Sequence, residues 1–379
     1  MVSLGVLTLT LALGASPAPE PTTLRVLTYN IWGIPLITPA RAERVEAIGR
    51  AIAEVEPDLV ALQEVWMERD AMELTRALER AGLPHVRHFA TTFPGGSGLL
   101  VASRYPIERD HFRKYSQGQV PHTPWHLDWI AGKGAAVVEV RTPTGPVRFS
   151  ATHLQAGYGS DEYVPVQLSQ MLEASAFLTK LPKRDDVPLI LAGDLNADWS
   201  ALPFRVLAAR AGLVPTDARC GIDAILYRPG RRVDVKTVAV TKVFEAPRDV
   251  DGERIRLSDH GGVLAQLALV PVERPVTMLG MAQDRWRTIV EESSLLVVAR
   301  LRRAEDDLFR HRVLAAAGFF LMVVALVSRR RYGKARRVMG WTSFVLAFVA
   351  SWYLYLGVAY GPSEIASLTD LSAQLSSPP

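Results

Sequence analysis

The chain has 379 residues, 49% apolar and 22% charged, which excludes a disordered polypeptide and leaves room for a sizeable core. Its one cysteine, Cys220, excludes an intrachain disulfide framework and a multi-cysteine zinc site. The net charge of +4 is unevenly placed: residues 24–272 carry 29 basic and 29 acidic side chains and residues 273–379 carry 14 and 9, so the main domain lacks the overall basic excess that tracks a polyphosphate backbone.

In chain order, the first feature is an apolar N-terminal segment, residues 1–21. Its uncharged run from Val2 to Gly14 has the length of a signal-peptide core and is followed by small residues and prolines. Residues 22–272 read as one domain. Strand patterns fall at Leu24–Ile31, Asp58–Glu64, Gly98–Ser103, Ala135–Val140, Val147–His153, Val187–Ala192, Ala224–Tyr227, Val233–Val240 and Val263–Leu269. Helical spacing fills Ala42–Glu56, Arg69–Ala81, Val166–Leu181 and Leu202–Ala211. Many strands with few interposed helices predict an α+β fold of two packed sheets with helices outside.

Residues 273–312 are expected to form an amphipathic juxtamembrane linker, since Trp286 to Arg312 mixes apolar and charged residues at rough helical spacing. Two uncharged runs follow, Val313–Ser328 and Val338–Ser363. At ~1.5 Å per residue the first covers roughly 24 Å, with arginines at both ends able to snorkel, and the second crosses a ~30 Å hydrocarbon core. Transmembrane helices are therefore expected over residues 313–328 and 338–360, then a polar tail over 364–379. Trp341 near one end of the second run and Trp352, Tyr353, Tyr355 and Tyr360 towards the other resemble an interfacial aromatic belt. The connector 329–337 holds six basic residues and no acid, which favours a cytoplasmic connector and a multi-pass protein with its main domain on the outer face. Arg300, Arg302, Arg303, Arg310 and Arg312 before the first span pull the other way, so the N-terminal segment decides the orientation.

The polar residues cluster at strand ends: Thr28-Tyr-Asn30, Gln63-Glu64, Thr152-His153-Leu-Gln155, Gly193-Asp194-Leu-Asn196, Ile222-Asp223 and Ser258-Asp259-His260. Each alone suits a turn or a cap. Six together suit a site, because rigid elements position chemistry at their ends. Carboxylate and amide oxygens without cysteine select a hard, oxygen-ligated ion, most simply Mg²⁺, with Mn²⁺ as a substitute. Glu64 is the best direct ligand, with Asn30 and Asp259 completing or ordering the shell. A histidine held by a carboxylate activates water for in-line attack on phosphorus. His260 and His153 are the two candidates for that base, and Asp223 is placed to orient one of them. An Asn and the second His are suited to hydrogen-bond the phosphoryl oxygens.

In this order the motifs resemble the endonuclease/exonuclease/phosphatase superfamily, and within it the neutral sphingomyelinase branch. The residues that carry the likeness are Asn30-Ile-Trp-Gly-Ile-Pro35, Gln63-Glu-Val-Trp66, Gly96-Ser-Gly-Leu99, Ser103-Arg-Tyr-Pro-Ile107, Asp128-Trp-Ile-Ala-Gly-Lys133, Thr152-His-Leu-Gln-Ala156, Gly193-Asp-Leu-Asn196, Ile222-Asp223 and Leu257-Ser-Asp-His260. The resemblance covers about Leu24 to Leu269, and some membrane-bound members also carry two apolar helices after the catalytic domain. It implies a four-layered α/β/β/α sandwich of two mixed sheets. It also implies Mg²⁺ on Glu64 with Asn30 assisting and contacting phosphate, and Asp194 and Asn196 positioning water or phosphate. His153 then stabilises developing charge, His260 is the base oriented by Asp223, and Asp259 lies near the metal. Asp128 and Lys133 resemble an Asp–Lys pair that in some members switches the loop between inactive and active states, which adds Lys133 to the substrate-binding candidates. Two departures are visible: Gln155 stands where membrane-bound animal members often have His, and the path from Asn196 to Asp223 is short.

The expected activity is that of a membrane-anchored, Mg²⁺-dependent phosphodiesterase of the phospholipase C type, acting on sphingomyelin or a related phospholipid. Phospholipid and bilayer are the expected partners and nucleic acid is not. Trp125 and Trp129, in the loop Pro121 to Trp129, are placed to dip into an interface. The alternatives are a metal-dependent nuclease of the same superfamily, which requires a basic groove, and a catalytically inactive membrane scaffold, which requires a broken site.

Overall fold

The computed structural model describes residues 21–35, 37–89, 96–116, 126, 128, 131–159, 161–182, 186–250, 252–273, 283–329 and 336–376. The apolar N-terminal run, Trp125, Trp129 and connector residues 330–335 lie outside them.

Alternating and fully apolar runs form two six-stranded sheets. The first has the order β11 (Val233–Val243), β14 (Gly262–Pro271), β1 (Thr22–Asn30), β2 (Leu59–Gln63), β4 (Leu99–Ser103), β3 (His85–Phe89). The second runs β5 (Ile107–Lys114), β6 (Gly134–Thr142), β7 (Gly145–His153), β8 (Leu189–Asp194), β10 (Asp223–Arg228), β9 (Val214–Pro215). Each sheet is mixed, with β1–β2 and β7–β8 parallel and their other neighbours antiparallel. A small ribbon of β12 (Arg248–Val250) and β13 (Glu253–Ile255) stands apart.

Three apolar layers hold this arrangement. Val26, Val101, Val138, Phe149, Ile225 and Leu267 fill the space between the sheets. Helices α1 (Arg41–Glu54) and α2 (Glu68–Arg80) cover the first sheet through Ile48, Ile52, Leu74 and Leu78. Helices α3 (Val164–Lys180) and α4 (Leu202–Ala211) cover the second through Met171, Leu178, Phe204 and Leu207. This is the α/β/β/α sandwich.

Two of the strands absent from the sequence reading, β3 and β5, share a cause. β5, Ile-Glu-Arg-Asp-His-Phe-Arg-Lys, is almost entirely exposed and closes one edge of its sheet, while β3 closes the other sheet's edge with two histidines and an arginine. Charged edge strands protect against edge-to-edge pairing and so lack the apolar alternation that signals a strand.

The C-terminal region departs from the predicted boundaries. Linker and first span form one helix, α5 (Gln283–Arg329). α6 (Arg336–Tyr355) continues through a π-helical turn, Leu356–Tyr360, into α7 (Gly361–Ser376). The stretch read as a polar tail is thus helical as far as Ser376. Ile365, Leu368, Leu371 and Leu375 recur at helical spacing and pack with Ile289, Val297 and Ala304 of α5 onto Leu168 and Leu172 of α3 and Val206 of α4.

Candidate active site

The parallel pairs bring the carboxyl ends of four strands to one edge of the sandwich. Asn30 is the register partner of Gln63, so Glu64 follows directly beside it, and His153 is the partner of Asp194. β10 begins at that edge, with Asp223 opposite Asp194. Two of the strand-end residues adopt left-handed backbone, Glu64 (φ 64°) and Asn196 (φ 47°). Such strain persists where surrounding structure imposes it, commonly at functional sites. Two glycines permit the close approach: a Cβ on Gly33 would stand 2.2 Å from the Glu64 carbonyl oxygen, and one on Gly193 would stand 2.2 Å from that of Thr152.

Asn30 joins the two halves. Its Nδ2 donates to Glu64 Oε1 and Asp194 Oδ2, each at 3.0 Å, while its Oδ1 accepts the Trp32 N–H at 2.9 Å. Asn30 therefore bridges the carboxylates through nitrogen. Glu64 Oε2 is buried and finds no hydrogen-bond partner among the described residues. Burial raises the Glu64 pKa, against the lowering influence of Lys133 and the Asn30 hydrogen bond. A buried carboxylate with one free oxygen, next to a second carboxylate, matches what a hard divalent cation requires.

His260 lies between two aspartates. Its Nδ1 is 2.8 Å from Asp223 Oδ2 and its Nε2 is 3.8 Å from Asp194 Oδ2. Donor atoms of Asp194, Asp223 and His260 all lie within 4.8 Å of one another, a second spacing compatible with a metal ion. Burial disfavours the imidazolium, but the hydrogen bond and charge of Asp223, then the charges of Asp194 and Asp259, outweigh it and hold His260 up at about 9. Burial, then the Asp223 charge, raises Asp194 to about 7.

His153 has a different environment. Lys133 Nζ lies 2.8 Å from its Nε2 and 3.0 Å from Asp128 Oδ1, so the Asp–Lys pair is formed and the lysine is buried. Burial first, then the Lys133 and His260 charges, push the His153 pKa well down and keep the ring neutral. The second oxygen of Asp128 accepts the Ala156 N–H at 2.7 Å, tying this loop to the segment after β7. Asn196 donates its backbone N–H to Asp194 Oδ1 at 2.9 Å and its amide to the Leu154 carbonyl at 2.8 Å. Asp259 is the outlier: it is exposed, outside the close Asp194–Asp223–His260 group, with its Oδ1 3.2 Å from the Ser258 hydroxyl oxygen.

Residues without an expected role hold this set in place. Ser258 Oγ donates to the Asn30 carbonyl at 2.8 Å and accepts the His260 N–H at 3.1 Å. Arg44 of α1, buried, reaches the carbonyls of Ile31 (2.6 Å), Trp32 (3.3 Å) and Leu257 (2.8 Å). Gln167 of α3 donates to the carbonyls of Gln155 (2.8 Å) and Asn196 (3.0 Å), and Gln170 accepts the Gln155 N–H at 2.8 Å. The readable signal was two glutamines three apart in an otherwise apolar helical run.

Comparison with known proteins agrees with this geometry. A family model described as Endonuclease/Exonuclease/phosphatase family matches residues 27–260, from the third residue before Asn30 to His260. The chain belongs to that family. Among its relatives, a Drosophila melanogaster protein is 32% identical over 277 residues, covering 66% of this chain and 62% of the relative. "Inositol phosphosphingolipids phospholipase C" of Schizosaccharomyces pombe is 35% identical over 219 residues, covering 56% and 50%. "Sphingomyelin phosphodiesterase 2" of Homo sapiens is 27% identical over 322 residues, covering 69% and 74%. The match thus spans between half and two thirds of the first two relatives. Two crystal structures share the fold. A Bacteroides thetaiotaomicron family member has a TM-score of 0.52 and 18% identity, covering 66% of this chain and 96% of that one. Staphylococcus aureus beta toxin with bound magnesium ions has a TM-score of 0.50 and 17% identity, covering 64% and 99%.

Proposed function

We propose that this member of the family is a membrane-anchored, Mg²⁺-dependent phosphodiesterase of the phospholipase C type, hydrolysing sphingomyelin or a related phosphosphingolipid. The observation that carries the reading is the His260–Asp223 pair at 2.8 Å, facing Asp194 and the half-unpartnered Glu64 across the amide of Asn30. The relatives' names, a phosphodiesterase for sphingomyelin and a phospholipase C for inositol phosphosphingolipids, supply the substrate class.

Glu64 and Asp194 are the groups that would hold Mg²⁺, or Mn²⁺ in its place, with Asn30 beside them; when bound, the ion supplies positive charge against the phosphoryl oxygens. Asp223 fixes the His260 tautomer by accepting a hydrogen bond from Nδ1–H, leaving Nε2 to accept a proton from water. Neutralising the Asp194 charge, one of those that hold His260 up beside Asp223, lowers it towards its ordinary range, the direction a base needs. Lys133, beside neutral His153, provides a cation where negative charge develops on the phosphoryl oxygens, and Asn196 with Asp194 orients water or phosphate. Asp259 acts at the mouth of the site.

The anchor is the pair α5 and α6–α7, each with a stretch long and apolar enough to cross a bilayer. The chain then crosses twice, with the domain of residues 22–272 on the outer face as the basic connector favours. The test is to incubate purified protein with vesicles of sphingomyelin, with vesicles of inositol phosphosphingolipid and with plasmid DNA, in Mg²⁺ and in EDTA. Headgroup release that requires Mg²⁺ is expected. Nicking of plasmid without headgroup release would reverse the reading in favour of a nuclease.

A further inference from the structure

The C-terminal helices dock on α3 and α4 of the sandwich through both arms of the hairpin. α5 touches α4 where Arg205 pairs with Glu292 at 2.9 Å, then passes over α3. Arg300, buried, then binds Glu364 of α7 at 2.5 Å and Asp307 at 3.4 Å and lies 3.9 Å from Glu162. Glu162 belongs to the short 3-10 turn Asp161–Tyr163, which joins the segment after His153 to α3. α3 is also the helix whose Gln167 holds the carbonyls of Gln155 and Asn196.

Beyond this collar the environment changes abruptly. Val297 and Ala304 are 0% and 1% exposed, whereas Phe319 and Phe320 are 60% and 66% exposed, as are Phe344 and Phe348 on α6 at 65% and 68%. A paired apolar surface of this kind, without charge from Val313 to Ser328, suits hydrocarbon. α5 runs unbroken from Arg300 to Val313, which places the start of the uncharged run about 20 Å beyond Arg300. α7 returns to the same face of α3, so neither strand of the anchor is a flexible tether.

From this geometry we propose that the docked collar confines the enzyme to lipid of its own bilayer: the site is held at its host leaflet and is kept from neighbouring membranes. The proposal rests on the lipid-phosphodiesterase reading above and adds where the substrate comes from. A long flexible tether would let the site sample both surfaces, whereas a rigid one gives a high effective substrate concentration in one geometry and almost none in the other.

The test uses the full chain reconstituted in two ways, in vesicles of phosphatidylcholine with sphingomyelin, or in pure phosphatidylcholine vesicles mixed with separate sphingomyelin vesicles, at equal total lipid and Mg²⁺. The initial rate of phosphocholine release is expected to be at least ~10-fold higher when enzyme and substrate share a vesicle. Arg300→Ala combined with Leu371→Asp, which undocks the collar, is expected to gain activity towards separate vesicles and so reduce that ratio. Its hydrolysis of a water-soluble phosphodiester such as bis(4-nitrophenyl) phosphate is expected to stay unchanged. Equal wild-type rates in the two arrangements would overturn the proposal. Cleavage of the soluble diester with no phosphocholine release in either arrangement would instead overturn the sphingomyelin reading on which it rests.

Discussion

Asp194 and Asp223 stand opposite each other as register partners on β8 and β10, and His260 lies between their carboxylates, 2.8 Å from one and 3.8 Å from the other. Antiparallel pairing of two strand ends thus provides both a carboxylate that orients the imidazole and one that faces its free nitrogen.

Removal of the imidazole is expected to be the most damaging change at this edge. His260→Ala should lower turnover by at least ~10²-fold while the protein stays folded, the usual range for loss of a general base. Asp223→Asn should act in the same direction with a smaller loss, since it leaves the base but removes the charge that orients it. Headgroup-release kinetics with circular dichroism check both, and a folded, fully active His260→Ala protein would remove His260 from the mechanism.

The same pair makes a prediction about pH. With the folded-state pKa raised to about 9, above the ordinary ~6.5, His260 stabilises the metal-free protein fully below ~6.5, and this contribution is lost as pH rises through about 9. Asp194, held up to about 7, has the midpoint of its own titration near the lower edge of that window. In EDTA, the melting temperature of the wild type should therefore fall between pH 7 and 9 more steeply than that of His260→Ala. Parallel curves would show that the histidine is not held charged.

Glu64 offers an unpartnered buried oxygen, so Glu64→Gln keeps its shape and removes its charge. The variant should require much more Mg²⁺ for activity or lose it altogether, and its thermal stability should respond less to added Mg²⁺, because ion binding stabilises only the state that holds the ligand. An unchanged Mg²⁺ dependence by both readouts would place the ion elsewhere.

Arg44 touches no expected reacting group, yet its guanidinium gathers carbonyls from the loops after Asn30 and before Ser258. Hydrogen bonds to a buried charge contribute about 1.5–3 kcal/mol each. Arg44→Gln should lower stability and also lower kcat more than it raises KM, since the two loops carry Asn30 and His260. A loss of stability with unchanged kcat would limit Arg44 to a packing role.

Orientation is checked by protease added to intact cells or spheroplasts. Digestion of the domain of residues 22–272, with the connector spared, is the expected outcome. Protection until the membrane is permeabilised would place that domain in the cytoplasm and leave residues 1–21 without an export role.

Much of this molecule was legible in one dimension. Strands such as Leu59–Gln63 and Leu189–Asp194 are continuous apolar runs because both faces are buried; Glu64 follows the first and Asp194 ends the second, and both reach the site. The charged edge strands β3 and β5 gave no such signal, because edge protection replaces apolar alternation with charge. Residues 364–379 look polar by composition, yet four apolar side chains at helical spacing dock residues 365–375 on α3.

The sequence by itself determined the residue types at the site, the apolar spans and the family, since each is carried by a short stretch of chain. Tertiary structure alone decided which groups meet. Asn30 is 164 positions from Asp194 in the chain, Arg44 is 213 from Leu257 and Ser258 is 228 from Asn30, yet each pair is joined by a hydrogen bond. Local patterning says which way a side chain faces, but only the register between strands and the packing of α1 and α3 on the sheets determines what it faces.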